Sequence, residues 1–211
     1  MKRIIAITLT LAMAALLLCG CGNDRTKLEG TWQTEVDLSQ QVNQMILGEV
    51  SEYFDFSNFT ITFLLTLNAD GTYSLRPEET SAKAAFDSLL VRLKDGFIKF
   101  YEAEIAEAGL DMTVEELLAT RNTTMDDLIE TLRKTIEEDG LAAELVKANT
   151  REGQFDAKDG KLYLSAGLEY GVDENVYDTY TLEGNTLTLT AHVGGNEDTQ
   201  LIYPQVFQKV S

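Results

Sequence analysis

The chain holds one histidine, His192, and two cysteines, Cys19 and Cys21, so the side chains that most often do covalent or metal chemistry are scarce. A hydrolase needs a positioned base beside its nucleophile. Read by strict alternation, His192 lies with Thr186, Thr188 and Thr190, opposite Leu187, Leu189 and Ala191. That is the wetter face, and it predicts a surface histidine. Zinc takes several His or Cys ligands, which this composition does not supply. Hard cations need only oxygen, and there are 35 acidic residues to provide it. In Asp156-Ala157-Lys158-Asp159-Gly160, however, Lys158 stands where a calcium ligand is required, and the segment reads as a turn. Glu169, Asp173, Glu174 and Asp178 cluster in one long predicted loop, and Glu197 and Asp198 in another. Either group could hold a weak cation; a solvated loop is the plainer reading. Glycosidase-type carboxylate pairs are defined by spatial separation, so the sequence assigns none. No catalytic residue, metal ligand or cofactor is expected from these residues.

At the N-terminus, Lys2 and Arg3 precede a leucine-rich run from Ile4 to Leu18. A basic start and a short apolar core mark an export signal, and the run is shorter than the roughly 20 apolar residues of a spanning helix. It closes in Leu18-Cys19-Gly20-Cys21, which resembles the lipobox of bacterial lipoproteins. The resemblance implies that residues 1–20 are a signal peptide removed on export and that Cys21, the first mature residue, carries a diacylglyceryl group on its thiol. Palmitate-type acyl chains would then anchor the protein to a membrane of the cell envelope, with the domain on the extracytoplasmic side. Two or more chains, at about 0.8 kcal/mol per buried methylene, make such attachment effectively permanent. Cys19 leaves with the signal and Cys21 is consumed, so no thiol remains for a disulfide or a nucleophile. Stability must come from a buried core, for which the remaining length suffices. Residues 21–28 read as a tether which, at about 3.5 Å per residue, reaches on the order of 25 Å.

Without the two cations of the signal, 15 of the 17 basic residues face 35 acids, a formal charge of −20. Nucleic acid is therefore an unsuitable partner. An anionic bilayer would repel this field over about 8 Å at physiological salt, so the domain is expected to stand off the membrane behind a solubilising acidic surface.

The elements that must position any site follow from hydrophobic period. In Gly30-Thr31-Trp32 and onward, Trp32, Thr34 and Val36 share one face of a strand. Val42, Ile46, Val50 and Tyr53 or Phe54 have helical spacing, interrupted near Gly48. Phe59 to Leu67 alternates again and meets Thr72 to Arg76 through Asn68-Ala69-Asp70-Gly71, a hairpin whose glycine tolerates positive φ. Residues 78–149 read as helix, with apolar stripes through Phe86, Leu89, Leu93, Phe97 and Tyr101 and through Leu128, Ile129, Leu132 and Ile136. Thr113 with Glu116 and Thr124 with Asp127 are candidate capping boxes, and Gly109, Arg121 to Thr123 and Gly140 are candidate corners. After Thr150 the two-residue period returns around Gly153 to Asp156, Lys161 to Ser165, Val176 to Glu183 and Thr186 to Val193, with a last strand from Leu201 to about Val210. The expected fold is α+β: an antiparallel meander of about eight strands with a helical hairpin inserted between strands 3 and 4.

Gly30-Thr31-Trp32, the Asn68 to Tyr73 hairpin and the ending Val206-Phe207-Gln208-Lys209 together resemble a bacterial lipocalin-like domain. The resemblance covers about 110 residues. It implies a barrel or half-barrel spanning residues 29–211, in which Trp32 plugs one end and a cation of the last strand, Lys209, lies against its ring. The insert at 78–149 departs from that family and puts an inherited ligand in doubt. Within it, Met112 to Leu118 and Thr124 to Leu128 are similar to the capped helical steps of trigger-factor-like chaperone segments.

Tyr73, Tyr163, Tyr170, Tyr177, Tyr180 and Tyr203 offer apolar bodies with polar tips in or beside strands. A ligand cavity lined by Trp32, Phe63, Tyr73 and Tyr203 is the expected site of a non-catalytic, membrane-tethered module that binds a small apolar ligand or a protein. The second reading is a chaperone or foldase accessory that holds exported chains on the helical insert. The third is an envelope hydrolase working through carboxylates.

Overall fold

The computed structural model describes residues 24–46, 53–54, 56–194 and 203–210. The signal at 1–20, Cys21, Gly48, Val50, Glu197, Asp198 and Leu201 lie outside the described residues. Eight strands, β1 (Gly30–Asp37), β2 (Thr60–Leu67), β3 (Thr72–Pro77), β4 (Arg151–Lys158), β5 (Lys161–Leu164), β6 (Tyr177–Glu183), β7 (Thr186–Val193) and β8 (Gln205–Lys209), follow one another around a closed barrel. The pairings from β3 to β8 are antiparallel, and β8 returns antiparallel to β1 with Trp32 opposite Lys209. Helix α1 (Arg25–Leu28) precedes β1 and α2 (Ser39–Ile46) follows it. Between β3 and β4 come α3 (Glu79–Glu107), α4 (Val114–Thr120), α5 (Met125–Glu138) and α6 (Leu141–Ala148), so the expected hairpin insert has four helices. The fold is α+β, and the meander closes fully instead of stopping as a half-barrel.

The chain divides into two compact units. The barrel unit takes the described residues of 1–34, 64–75 and 151–211. Its turns follow local chemistry: Asp70 accepts from the Thr72 amide (2.9 Å) and hydroxyl (2.7 Å), and Asp159-Gly160 supplies two consecutive positive φ values, 54° and 73°, as a tight hairpin requires. Trp32, Leu65, Leu67, Phe155, Leu187 and Phe207 fill its interior, each at most 3 % exposed. At roughly 1.5 to 3 kcal/mol per fully buried large apolar side chain, such a core is the main source of the unit's stability.

The second unit comprises 35–63 and 76–150. Both capping boxes form: the Glu116 amide donates to Thr113 Oγ1 (3.2 Å) and the Thr113 amide to Glu116 (2.8 Å), while Thr124 and Asp127 exchange the same pair. Gly109 and Gly140, both at φ 63°, end the two long helices, α3 and α5. Helices α5 and α6 pack on α3. The core of this unit joins Phe56, Phe59 and Ile61 to Ala82, Ala85 and Leu89.

Candidate functional site

The two ends of the barrel differ in chemistry. At the end formed by the β2–β3, β4–β5 and β6–β7 turns, Trp32 is fully buried and its indole Nε1 donates to the Leu28 carbonyl (2.7 Å). Lys209 Nζ lies 5.1 Å from the centre of the Trp32 ring and donates to the Glu29 carbonyl (2.6 Å), so the cation expected over that ring is in place. Residues 24–28, expected as tether, instead form a helical turn fixed to this end. The Asp24 amide donates to the Ala157 carbonyl (3.1 Å), Arg25 Nη2 to the Ala69 carbonyl (2.9 Å), and the Arg25 guanidinium sits 5.3 Å over Phe155. The Asp24 carboxyl is held below the ordinary range, first by its hydrogen bond with Lys27 and further by Tyr180 and the Gly160 amide. Leu28, fully buried, completes the plug.

Toward the other end three polar side chains meet inside the barrel. Asp178 on β6 is only 7 % exposed, and its Oδ1 accepts from the Tyr203 hydroxyl (2.6 Å) and pairs with His192 Nδ1 (2.8 Å). The register explains the meeting, since Leu162, Asp178 and His192 are successive cross-strand partners on β5, β6 and β7 and so share the inner face. This corrects the outward placement of His192. Tyr180 pairs with Leu189 but Thr179 with Ala191, so Thr190 is an extra residue, a bulge in β7. Leu187 and Leu189 face in before the bulge; the two-residue period then shifts by one, Ala191 faces out and His192 faces in. Asp178 is likewise corrected: it belongs to a strand interior and not to an acidic loop.

Burial pushes the Tyr203 phenol well above the ordinary tyrosine range, and the hydrogen bond to the Asp178 carboxylate and its charge push it further. Tyr73, whose hydroxyl donates to the Ser165 carbonyl (2.8 Å), is also raised by burial, with Asp178 adding to the rise and Arg151 opposing it. An Asp178 carboxylate bound to Nδ1–H fixes the neutral ring in the tautomer whose Nε2 lone pair is free to accept. Among the described residues Nε2 has no hydrogen-bond partner, and the His192 side chain is 23 % exposed. When the ring is neutral, the trio presents an oriented acceptor to an incoming donor. Among the described residues no serine, threonine or cysteine is hydrogen-bonded to His192.

Of the four residues expected to line one cavity, Trp32 and Tyr73 belong to the barrel core, Tyr203 packs at its edge beside Asp178, and Phe63 packs in the core of the second unit. Trp32 and Tyr203 serve opposite ends: from Thr186, near the plug, to His192 the strand β7 advances six residues, or roughly 20 Å. The structure thus does not gather the four, and it adds Asp178 and His192 to Tyr203. Of the loop acids, Asp173 accepts from the Asn175 amide (2.9 Å) and side chain (3.0 Å), ordering its own loop. Among the described residues no three His, Cys, Asp or Glu side chains are grouped to hold a metal ion, and no helix is long and apolar enough to cross a membrane. Comparison with family models, with curated proteins and with solved structures returns no match.

Proposed function

We propose that this is a lipid-anchored envelope protein, held by Cys21, whose lipocalin-like barrel is a non-catalytic binding module. Its ligand enters at the end away from Trp32 and is recognised by the Asp178, His192 and Tyr203 trio. The observation that carries this reading is a closed barrel filled at one end by the plug and holding, toward the other, a buried carboxylate whose hydrogen bonds orient a histidine nitrogen with no described partner. Such a group suits a small, mostly apolar molecule bearing one hydroxyl or amine, because a buried acceptor discriminates sharply for a donor. In the second unit the residues of the apolar stripes are half-buried or buried. Its exposed large apolar side chains among the described residues are the separate Val91 and Leu110, a poor surface for holding unfolded chains.

Native mass spectrometry of the soluble domain from its producing host tests the reading. The expected result is a co-purified small molecule on the wild type that is lost from His192→Phe and retained by Phe63→Leu. A wild type free of any adduct, or adduct retention by His192→Phe, removes the trio as the ligand site. Mass analysis of the N-terminal peptide decides the anchor separately, because an unmodified Cys21 ends the lipoprotein assignment.

A further inference from the structure

The plugged end of the barrel is the part of that unit that the anchor can reach, and it differs in charge from the rest of the chain. Asp24 is already hydrogen-bonded to β4, and Arg25 to the β2–β3 turn, so only Gly22 and Asn23 separate Cys21 from the folded barrel. At about 3.5 Å per residue, three residue steps from Cys21 to Asp24 span on the order of 10 Å at most. That is less than half the reach a free tether through Leu28 would have.

Charge points to the same end. The segment 24–29 sets Asp24 and Glu29 against Arg25 and Lys27 and sums to zero. Around it, Asp70, Asp159 and Glu183 on the three turns are set against Lys158 and Lys209, while Lys161 turns its ammonium away, over the Tyr177 ring. In a chain of formal charge −18 this pole comes to −1, close to neutral. The repulsion expected between the protein and an anionic bilayer falls off within about 8 Å, so a nearly neutral pole can approach headgroups where an acidic surface cannot.

We infer that the plugged pole of the barrel, made by α1 and the β2–β3, β4–β5 and β6–β7 turns, rests on the bilayer surface, with the Asp178, His192 and Tyr203 end directed away from it. This rests on the lipid anchor at Cys21 and adds the face that the anchor brings down. The occupant is a phospholipid headgroup surface, which receives the pole without any apolar insertion.

The full lipidated protein in phosphatidylethanolamine and phosphatidylglycerol vesicles provides the test, because the mature chain has no other thiol once Cys21 is acylated. One fluorophore is attached at Asn185→Cys, on the β6–β7 turn of the pole, or at Gly171→Cys, in the exposed β5–β6 loop of the opposite end. A short-range quencher is carried on the lipid headgroup. Quenching severalfold stronger at position 185 than at 171 is expected, and it should vanish when a long flexible Gly/Ser spacer is inserted between Asn23 and Asp24. Equal or reversed quenching, with the lipid mass present on Cys21, overturns the orientation and leaves the anchor standing. A contrast that survives the spacer overturns the role of the short linker. Absence of lipid on Cys21 overturns the anchor and the orientation together, and the same peptide mass distinguishes that outcome from the others.

Discussion

Lys209 spans the plug with two contacts, its ammonium 5.1 Å from the centre of the Trp32 ring and 2.6 Å from the Glu29 carbonyl oxygen. The ring itself is buried among Leu28, Leu187 and Phe207, and the two residues face each other across the β1–β8 pair that closes the barrel. Removing the ring leaves a cavity, whereas removing the cation leaves a wet edge. Trp32→Ala should therefore cost about 3 to 5 kcal/mol and Lys209→Ala about 1 to 2. Urea unfolding of both variants gives the ratio, and comparable small losses would contradict the buried plug.

Tyr203 and Tyr180 make an alkaline prediction. Both phenols are raised in the folded barrel, by burial first and then by Asp178 and Asp24 respectively, while in the unfolded chain they ionise near the usual value of about 10. A raised folded pKa contributes stability that is fully present below the unfolded value and is lost as pH rises through the folded one. The melting temperature should thus hold to about pH 9.5 and fall beyond it. Tyr203→Phe should be less stable at neutral pH, by about 1 to 3 kcal/mol for the partner lost to a buried carboxylate, yet show a shallower alkaline decline. Circular dichroism melts across the pH range check both halves.

Ser39 ties the start of α2 to the chain before β2. Its hydroxyl donates to Asp37 and accepts from the Phe59 amide (2.8 Å), and it is 9 % exposed. Ser39→Ala would strand that buried amide, at a cost of about 1 to 3 kcal/mol. The same bond holds the Asp37 carboxyl below the ordinary range, a contribution present above about pH 4 and lost as pH falls through the depressed value. The variant should show less acid sensitivity than the wild type in melts between pH 5 and 2.

Gly153 on β4 predicts a loss despite the better intrinsic properties of alanine. A Cβ there would lie 2.6 Å from Ser165 Oγ, 2.8 Å from the Ser165 carbonyl and 2.8 Å from the Tyr73 ring. Ser165 is itself fixed by the Gln154 amide (2.7 Å) and the Gly167 carbonyl (2.8 Å), so it cannot yield freely. Gly153→Ala should destabilise by about 1 to 3 kcal/mol, read by thermal denaturation; a neutral or stabilised variant would show that this crowded wall can relax.

Much of the fold could be read from hydrophobic period alone. Leu65 and Leu67, Phe155 and Ala157, and Leu187 and Leu189 alternate as the barrel requires, and the Thr113 and Thr124 caps mark helix starts at the residue. The plug was legible through the lipocalin-like resemblance carried by Gly30-Thr31-Trp32 and Val206 to Lys209, which implies both the buried ring and its cation. Helix α1 was not, since Arg-Thr-Lys-Leu has no apolar repeat and is held through the backbone bond of its N-cap, Asp24, to a strand more than a hundred residues away. The trio was missed because local alternation cannot report a bulge, and because Asp178 is an acid whose burial is decided by its partners on β7 and before β8. The sequence itself hides the shift, because strict alternation after Leu189 puts the apolar Ala191 and Val193 at the inward positions.

That one extra residue gives the strand something like a reading frame. A regular ladder that paired Thr190 instead of bulging it would set Ala191 against Asp178 and turn the imidazole outward, whereas deleting Thr190 would straighten the strand and leave His192 facing Asp178. Substitution scans along β7 would leave this arrangement nearly invisible, because no single side chain encodes it. The inner chemistry of this barrel is specified by which residue of β7 the ladder leaves unpaired, and the phase of one strand, more than any side chain within it, is the route by which such a protein could gain or lose its polar site.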